Sequence, residues 1–348
     1  MRVKRFSEFL NEGGWSTTKT QETVLNPLAI KESLVVIGEI QKSFNEYLRT
    51  IDLPVIDFGH PVGSGTWWKD DLENNPDKVY GDIDLLVTYP VLRITDDKKK
   101  NESESLKIYN AELLKWLKSV KPNGVDVEET EKVSNPSTIK LITKIPSGYV
   151  QVDMVATHEE YKDWASARLT PVRNIKGFVL GNLYTSFGKT LDVSIQLKGV
   201  RAKIKDGMIV PYSKRSGVEE ILISNSMKTF MYDIAKFIWE KSTKQKFEPT
   251  EDLVNWSMNS KSPSIEDLMK GIKAVVNTLD KLDEWGSTIK YKSKEDFLNA
   301  VFENYKDVMM KNYNASKFNK AQSKQAVDTT KRIRKTITDN ISLVKSLI

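Results

Sequence analysis

The sequence of 348 residues contains no cysteine and only two histidines, His60 and His158. The lack of cysteine excludes disulfides, thiolate zinc sites and cysteine nucleophiles, and the scarcity of histidine excludes histidine-rich metal sites. No apolar run is long enough to span a bilayer, and the N-terminal residues lack the sustained apolar region of a signal peptide. We therefore expect a cytoplasmic protein with no membrane partner.

The charge and composition are those of a folded protein. Charged residues make up 29% of the chain with both signs interspersed, and hydrophobic residues make up 39%, enough for one large core or two ordinary ones. The net charge of +6 favours a polyanionic partner, because clustered Lys and Arg release counterions from a phosphate backbone. We expect two domains and a polyanionic partner, with a basic enzyme that binds no nucleic acid as the alternative.

Hydrophobic periodicity divides the first part of the chain into elements. Residues 27–50 space apolar side chains three and four apart, which predicts an amphipathic helix. A short apolar strand is predicted at 54–58, a glycine turn at 60–66 and a polar loop at 69–78. Residues 80–87 alternate polar and apolar side chains before becoming fully apolar, which predicts a strand.

The next elements continue this mixed pattern. A second helix is predicted over 103–119, and residues 139–143 and 149–155 flank a Pro-Ser-Gly turn, which predicts a hairpin. Residues 172–190 predict another helix, followed by a strand or hairpin that turns near 206–207. From about residue 224 onward the chain reads as successive amphipathic helices.

These elements predict an α/β mixed-sheet domain followed by an α-helical domain. The first would occupy residues 1–222, with its core at about 27–220, and the second residues 223–348. The last helix carries a basic region that would track a nucleic-acid backbone or, alternatively, form a solvated helix face. This region consists of Lys317, Lys320, Lys324, Lys331, Arg332, Arg334 and Lys335.

Three carboxylates on predicted strands indicate a metal site. Residues two apart on a strand share a face, so Asp82 and Asp84 lie together and repel each other unless a cation sits between them. Asp153 lies near the middle of an apolar strand, where an unpaired charge would cost several kcal/mol. Oxygen-only ligands suit Mg²⁺ or Mn²⁺, which take their remaining ligands from waters and substrate phosphates.

The three carboxylates predict two divalent ions that act together. Ions about 3.5–4 Å apart stabilise both the attacking hydroxyl and the leaving pyrophosphate of an in-line displacement. Asp82 and Asp84 would bridge both ions, and Asp153 would hold the ion beside the acceptor hydroxyl. The predicted chemistry is nucleotidyl transfer from a nucleoside triphosphate.

The glycine turn provides a candidate phosphate site. Gly63 lets the backbone approach the phosphates, and Ser64 offers both an N–H and a hydroxyl to their oxygens. Thr66 is a second candidate, since the register Gly65-Thr66 is also open, and an ordinary turn is the alternative to a binding site. Asp71, in the polar segment that follows, is expected to be solvated.

In this order the residues resemble the motif of a known family. The motif is carried by Val62-Gly63-Ser64, Asp82-Ile83-Asp84 and Asp153 in the segment VQVDMV. It is similar to that of the DNA polymerase β-like nucleotidyltransferase superfamily, which includes poly(A) polymerases, tRNA CCA-adding enzymes, cyclic GMP-AMP synthase relatives and antibiotic nucleotidyltransferases. The gap from Ser64 to Asp82 is longer than the family usually has.

The resemblance implies a mixed-sheet catalytic core and an acceptor hydroxyl, for which we favour an RNA 3′ end. It also implies a nucleotide-facing surface on the 172–190 helix, where Ser186 and Lys189 would reach phosphate and Tyr184 would stack on a base. Transfer to a protein or small molecule and cyclic oligonucleotide synthesis are alternatives, as is a non-catalytic nucleic-acid-binding protein. The opening MRVKRFSEFLNE is similar to the starts of many proteins of large tailed bacterial viruses.

Overall fold

The fold combines α-helices with two small sheets in two compact units. A computed structural model describes residues 17–348 except 22, 136, 171–176, 215, 244, 260–263, 283–290, 292 and 316–323. One unit extends to Lys162 and the other begins at Asp163, and each has its own hydrophobic core. Among the described helices, none is both long and apolar enough to cross a membrane.

The described part of the first unit opens with a short helix, α1 (Thr18–Gln21), and a long one, α2 (Pro27–Thr50). The helix predicted over 27–50 is confirmed. It begins where the Asn26 side chain accepts a hydrogen bond from the Ala29 N–H at 2.9 Å, with Pro27 in the first turn. Its apolar face packs into the core through Ile30, Ile37, Ile40, Phe44 and Leu48.

The first sheet is mixed, with the strand order β1-β2-β4-β3. Strand β2 pairs in parallel with β4, whereas the β1–β2 and β3–β4 pairs are antiparallel. The predicted hairpin is confirmed as β3 and β4, and the strand predicted over 80–87 is confirmed as β2 from residue 83 onward, while residues 80–82 lie before it. The four strands are β1 (Pro61–Val62), β2 (Ile83–Tyr89), β3 (Ile139–Ile145) and β4 (Gly148–His158).

Two local predictions in this unit are wrong. The strand predicted at 54–58 forms only a single bridge, between Asp57 and Thr88. Here the Asn45 side chain accepts from the Ile56 N–H and donates to the Ile56 carbonyl, so a side chain takes the place of a neighbouring strand. The loop predicted at 69–78 contains a helix, α3 (Trp68–Asn74), which directly follows a 3-10 helix at Gly63–Trp67.

The two faces of strand β2 have different environments. Ile83, Leu85 and Val87 point into the core that α2 covers, because successive residues of a strand alternate between faces. Asp84 therefore lies on the opposite face of the sheet. The unit also contains α4 (Lys98–Val120), which includes the helix predicted over 103–119, and α5 (Val127–Val133).

The second unit contains an antiparallel sheet in which β5, β7 and β8 all pair with β6. The predicted turn at Asp206-Gly207 is confirmed, since both residues have the positive φ that a tight hairpin turn requires. Before the sheet come α6 (Lys162–Leu169) and α7 (Gly177–Thr190). The strands are β5 (Val193–Gln196), β6 (Gly199–Lys205), β7 (Met208–Val210) and β8 (Glu219–Ser224).

The helices predicted after residue 224 are present and share one core with α7 and the second sheet. Phe187 of α7 packs its ring edge-on against Phe297, and Tyr184 packs likewise against Phe230. The boundary between the two compact units, between Lys162 and Asp163, therefore lies well before residue 222, where the sequence suggested a domain boundary. The helices are α8 (Phe230–Ser242), α9 (Glu251–Asn259), α10 (Ile265–Leu279), α11 (Lys294–Ala315) and α12 (Lys324–Ser346).

Candidate functional site

Three aspartates come together where strands β2 and β4 run side by side. Asp84 is the second residue of β2 and is the direct register partner of Asp153 on β4, while Asp82 immediately precedes β2. Parallel neighbours in register project their side chains to the same face, about 4.8 Å apart. One carboxylate oxygen from each of the three residues lies within 4.8 Å of the others.

The chemistry of this cluster fits a divalent cation. All three aspartates are partly buried, so water screens their mutual repulsion less than it would at an exposed surface. A hard cation with oxygen ligands compensates such a group of negative charges. The donor set contains no nitrogen or sulfur, which favours Mg²⁺, Mn²⁺ or Ca²⁺ over zinc.

The glycine turn lies directly beside the carboxylates. Val62 of β1 pairs with Asp84, and Gly63 follows with φ +64°, a conformation that residues with a side chain rarely adopt. A Cβ atom added at Gly63 would lie 3.1 Å from Oδ2 of Asp84. The close approach of this backbone to the Asp84 carboxylate therefore depends on glycine.

The other turn residues belong to the 3-10 helix that begins at Gly63. Ser64 and Thr66 are both partly buried. The Thr66 hydroxyl donates to the Pro61 carbonyl at 3.4 Å and so closes the turn on itself. This contact gives Thr66 a local structural partner.

The Asp71 carboxylate, which was expected from the sequence to be solvated, is buried and stabilises the connection between the glycine turn and Asp82. Asp71 of α3 has no exposed surface and accepts hydrogen bonds from the Tyr80 hydroxyl and from Lys78 Nζ. Tyr80 is itself fixed by its N–H, which donates to the Leu25 carbonyl at 2.8 Å. Because α3 continues from the glycine turn and Tyr80 precedes Asp82 by two residues, this contact ties the turn to the first aspartate.

Two further residues that sequence reasoning missed contact Asp153. Lys140 is the register partner of Asp153 on β3, and its Nζ lies 3.5 Å from Oδ2. The Gln151 side chain donates from Nε2 to Oδ1 at 2.6 Å. The predicted hairpin contained this signal, since its short turn fixes the register that places Lys140 opposite Asp153.

The predicted residues on α7 belong to the second unit and differ in exposure. Tyr184 is buried between Phe230 and the Arg168 guanidinium, and burial raises the pKa of its hydroxyl. Ser186 is also buried and donates to the Asn182 carbonyl at 2.7 Å. The prediction that Tyr184 stacks on a base does not fit a ring that the core encloses.

Several lysines of the second unit lie on exposed helix surfaces. Lys189 is exposed and donates to the Asn304 side chain at 2.7 Å. On α12, Lys331 and Lys335 are exposed, and the Arg334 guanidinium lies 5.0 Å from the centre of the Tyr313 ring. Lys317 and Lys320 lie outside the described residues.

Comparison with known proteins gives no assignment: no family model matches this chain, and no curated protein matches its sequence.

Proposed function

We propose that the chain is a metal-dependent nucleotidyltransferase that moves a nucleoside monophosphate from a nucleoside triphosphate to an acceptor hydroxyl. One observation carries this proposal. The register of β2 and β4 places Asp84 against Asp153, with Asp82 and the Gly63 backbone beside them. A metal-binding carboxylate cluster facing a glycine turn is what transfer from a metal-bound triphosphate requires.

Each residue has a separate role in this proposal. Asp82 and Asp84 would hold both Mg²⁺ or Mn²⁺ ions, and Asp153 would help to hold the ion that activates the acceptor hydroxyl. When bound, the ions supply charge stabilisation of the attacking hydroxyl and the leaving pyrophosphate. Gly63 and Ser64 would hold the triphosphate. Ser64 is favoured over Thr66 because the Thr66 hydroxyl already donates to Pro61.

The proposed reaction needs only the nucleoside triphosphate and the acceptor hydroxyl as reactants. The acceptor oxygen forms a bond to the α-phosphorus, and the bond from that phosphorus to the bridging oxygen of the β-phosphate breaks. Pyrophosphate leaves, and the hydroxyl proton passes to solvent. The backbone of Gly63 and the side chain of Ser64 keep the triphosphate in line with the acceptor, which is where positioning contributes to the rate.

We favour RNA as the acceptor because of the net positive charge of the chain and the basic helix α12 of its second unit. The net charge is +6, and exposed Lys331 and Lys335 lie one turn apart on α12. Cations spaced along a helix interact with successive phosphates of a nucleic-acid backbone. The 3′ hydroxyl of RNA would then be the attacking group.

The test is incorporation of each of four α-labelled nucleoside triphosphates into total RNA with Mg²⁺ or Mn²⁺. The wild type is compared with a variant that carries Asp82→Ala and Asp84→Ala. We expect label in RNA only when the carboxylates are intact, and equal incorporation by the two proteins would refute the site. Label in protein or in a small cyclic product would keep the reaction and change the acceptor.

A metal titration distinguishes a protein that binds metal through these carboxylates from a nucleic-acid-binding protein without such a site. We expect Mg²⁺ or Mn²⁺ to raise the melting temperature of the wild type, because an ion that binds only the folded state stabilises it. The variant with Asp82→Ala and Asp84→Ala should lose this increase. An identical response to metal in both proteins would favour a non-catalytic nucleic-acid-binding protein with a degenerate core.

Replacing Gly63 by Ala should lower incorporation about a hundredfold. The new Cβ would lie 3.1 Å from Oδ2 of Asp84 at a φ of +64°, so the turn, the carboxylate or both must move. A displacement on the order of 1 Å in a catalytic site commonly costs that factor. Steady-state rates are compared with Gly38→Ala, since an added Cβ at exposed Gly38 meets nothing within 4 Å. Equal rates for the two variants would contradict the placement of the turn.

A further inference from the structure

A buried lysine faces the candidate metal site. Lys140 lies opposite Asp153 across the β3–β4 hairpin, and its Nζ is 3.5 Å from Oδ2 of that carboxylate. The two side chains are only 7% and 13% exposed. An ammonium group is strongly hydrated in water, so its burial beside three carboxylates requires a specific electrostatic partner.

The hairpin holds Lys140 and Asp153 in this arrangement. The Ser134 hydroxyl accepts from the Lys140 N–H at 2.9 Å and donates to the Lys140 carbonyl at 3.1 Å, which fixes the backbone from which the lysine extends. On the other side, Gln151 donates to Oδ1 of Asp153. Donors from the hairpin thus contact both oxygens of this carboxylate.

Lys140 and a divalent ion would compete for the carboxylate oxygens of Asp153. A metal held by Asp153 must share or displace the contact with Nζ, since two cations at one carboxylate repel each other. With Lys140 included, the net charge of the group is −2, compared with −3 for the three carboxylates alone. Both effects weaken the attraction of the site for a second divalent ion.

We propose that Lys140 competes with the metal for Asp153 and thereby makes full metal loading depend on the nucleotide. This inference rests on the proposed function. Without nucleotide, a divalent ion binds through Asp82 and Asp84 while Lys140 retains Asp153. The triphosphate brings further negative charge and oxygen ligands, which shift the balance toward the metal-bound form of Asp153.

A purely structural role for Lys140 leads to a different expectation. Removing one partner of a buried ion pair leaves the other uncompensated, so replacing a purely structural lysine would lower the stability of the fold and nothing else. It would not tighten metal binding. Affinity for metal in the absence of nucleotide therefore distinguishes the two roles.

The experiment measures Mn²⁺ binding to the full chain without nucleotide, by the electron paramagnetic resonance signal of free Mn²⁺. Lys140→Met removes the charge and keeps an unbranched side chain. We expect it to bind Mn²⁺ about tenfold more tightly than the wild type, because a unit positive charge at this separation opposes the ion at least that strongly. Added ATP should then increase Mn²⁺ affinity less in Lys140→Met than in the wild type.

The matched control is Lys144→Met, which removes the same charge from an exposed position of the same strand. It should bind Mn²⁺ like the wild type. Lys140→Gln, which retains a polar group, carries the same expectation as Lys140→Met and replaces it if the methionine variant fails to fold by circular dichroism.

The outcomes separate this inference from the proposed function. Mn²⁺ binding that needs Asp82 and Asp84 but is unchanged or weaker without the Lys140 charge overturns the inference alone. Mn²⁺ binding that is unchanged when Asp82 and Asp84 are both replaced by Asn overturns the metal site, and the inference with it. Tighter binding by the Lys140 variants, with the Lys144 control unchanged, supports it.

Discussion

Asp84→Asn is expected to lower the rate of nucleotide incorporation on the order of a thousandfold, because a bound metal contributes several kcal/mol to transition-state stabilisation. Asp84 is central to the cluster: it pairs with Val62 on one side and with Asp153 on the other, and its Oδ2 faces Gly63. Asparagine has nearly the same shape, so the loss would be due to the charge. Single-turnover rates at saturating nucleotide measure the effect.

The control for this substitution is Asp52→Asn, the same chemical change at an exposed residue beyond the end of α2. Asp52 has φ +55°, which asparagine adopts readily, so the backbone should not change. Its rate should equal that of the wild type. An Asp84→Asn protein that kept a tenth or more of the wild-type rate would exclude a central role for this carboxylate.

Asp71→Ala is expected to lower the free energy of unfolding by about 3 kcal/mol, since removing one partner of a buried ion pair leaves the other uncompensated. Asp71 is fully buried, whereas Lys78 is 29% exposed and can regain some water, which places the value at the lower end of the usual range. Tyr80→Phe removes a single hydrogen bond and should cost about 1 kcal/mol. Urea denaturation measures both values.

Because the chain has two compact units, the transition of the first must be followed separately. Hydrogen exchange of peptides before Lys162 reports that unit. Asp70→Ala is the neighbouring control: the partly buried Asp70 accepts an exposed hydrogen bond from Asn74, and its loss should cost less than about 1 kcal/mol. If Asp71→Ala lowered the free energy of unfolding no more than Asp70→Ala, the contact of Asp71 with Tyr80 and Lys78 would not stabilise the connection between the turn and Asp82.

The parts of the fold that follow from local physics could be predicted from the sequence. Helix α2 has apolar residues at helical spacing and a capping Asn26, and the β3–β4 hairpin has a turn between two apolar runs. The helix at Trp68–Asn74 could not be predicted in this way, because its one fully buried residue is the carboxylate of Asp71. Its packing depends on a tyrosine and a lysine that come later in the chain.

In the candidate site, too, local features could be predicted and long-range pairing could not. The sequence predicts Asp82 close to Asp84 from their two-residue spacing, and the two carboxylates do lie together, although Asp82 just precedes β2. The position of Asp153 beside Asp84 depends on the parallel pairing of β2 with β4, which no local pattern specifies. Tyr184 was expected at a nucleotide, yet it lies in the core of the second unit. The amphipathic pattern of α7 itself predicts this burial, since Tyr184 shares an apolar face with Leu180 and Phe187, and only the family resemblance pointed to a nucleotide.

The pairing of Asp84 with Asp153 also determines where the chain can gain or lose residues. Because side chains alternate between faces, a one-residue deletion within β2 before Asp84 would turn its carboxylate toward the core or shift it away from Asp153. An insertion between Asn74 and Lys78 lengthens a surface connection, which costs little as long as the contact of Lys78 with Asp71 forms again. Length variation among homologues should therefore concentrate in such connections, and the two strands should keep a constant number of residues.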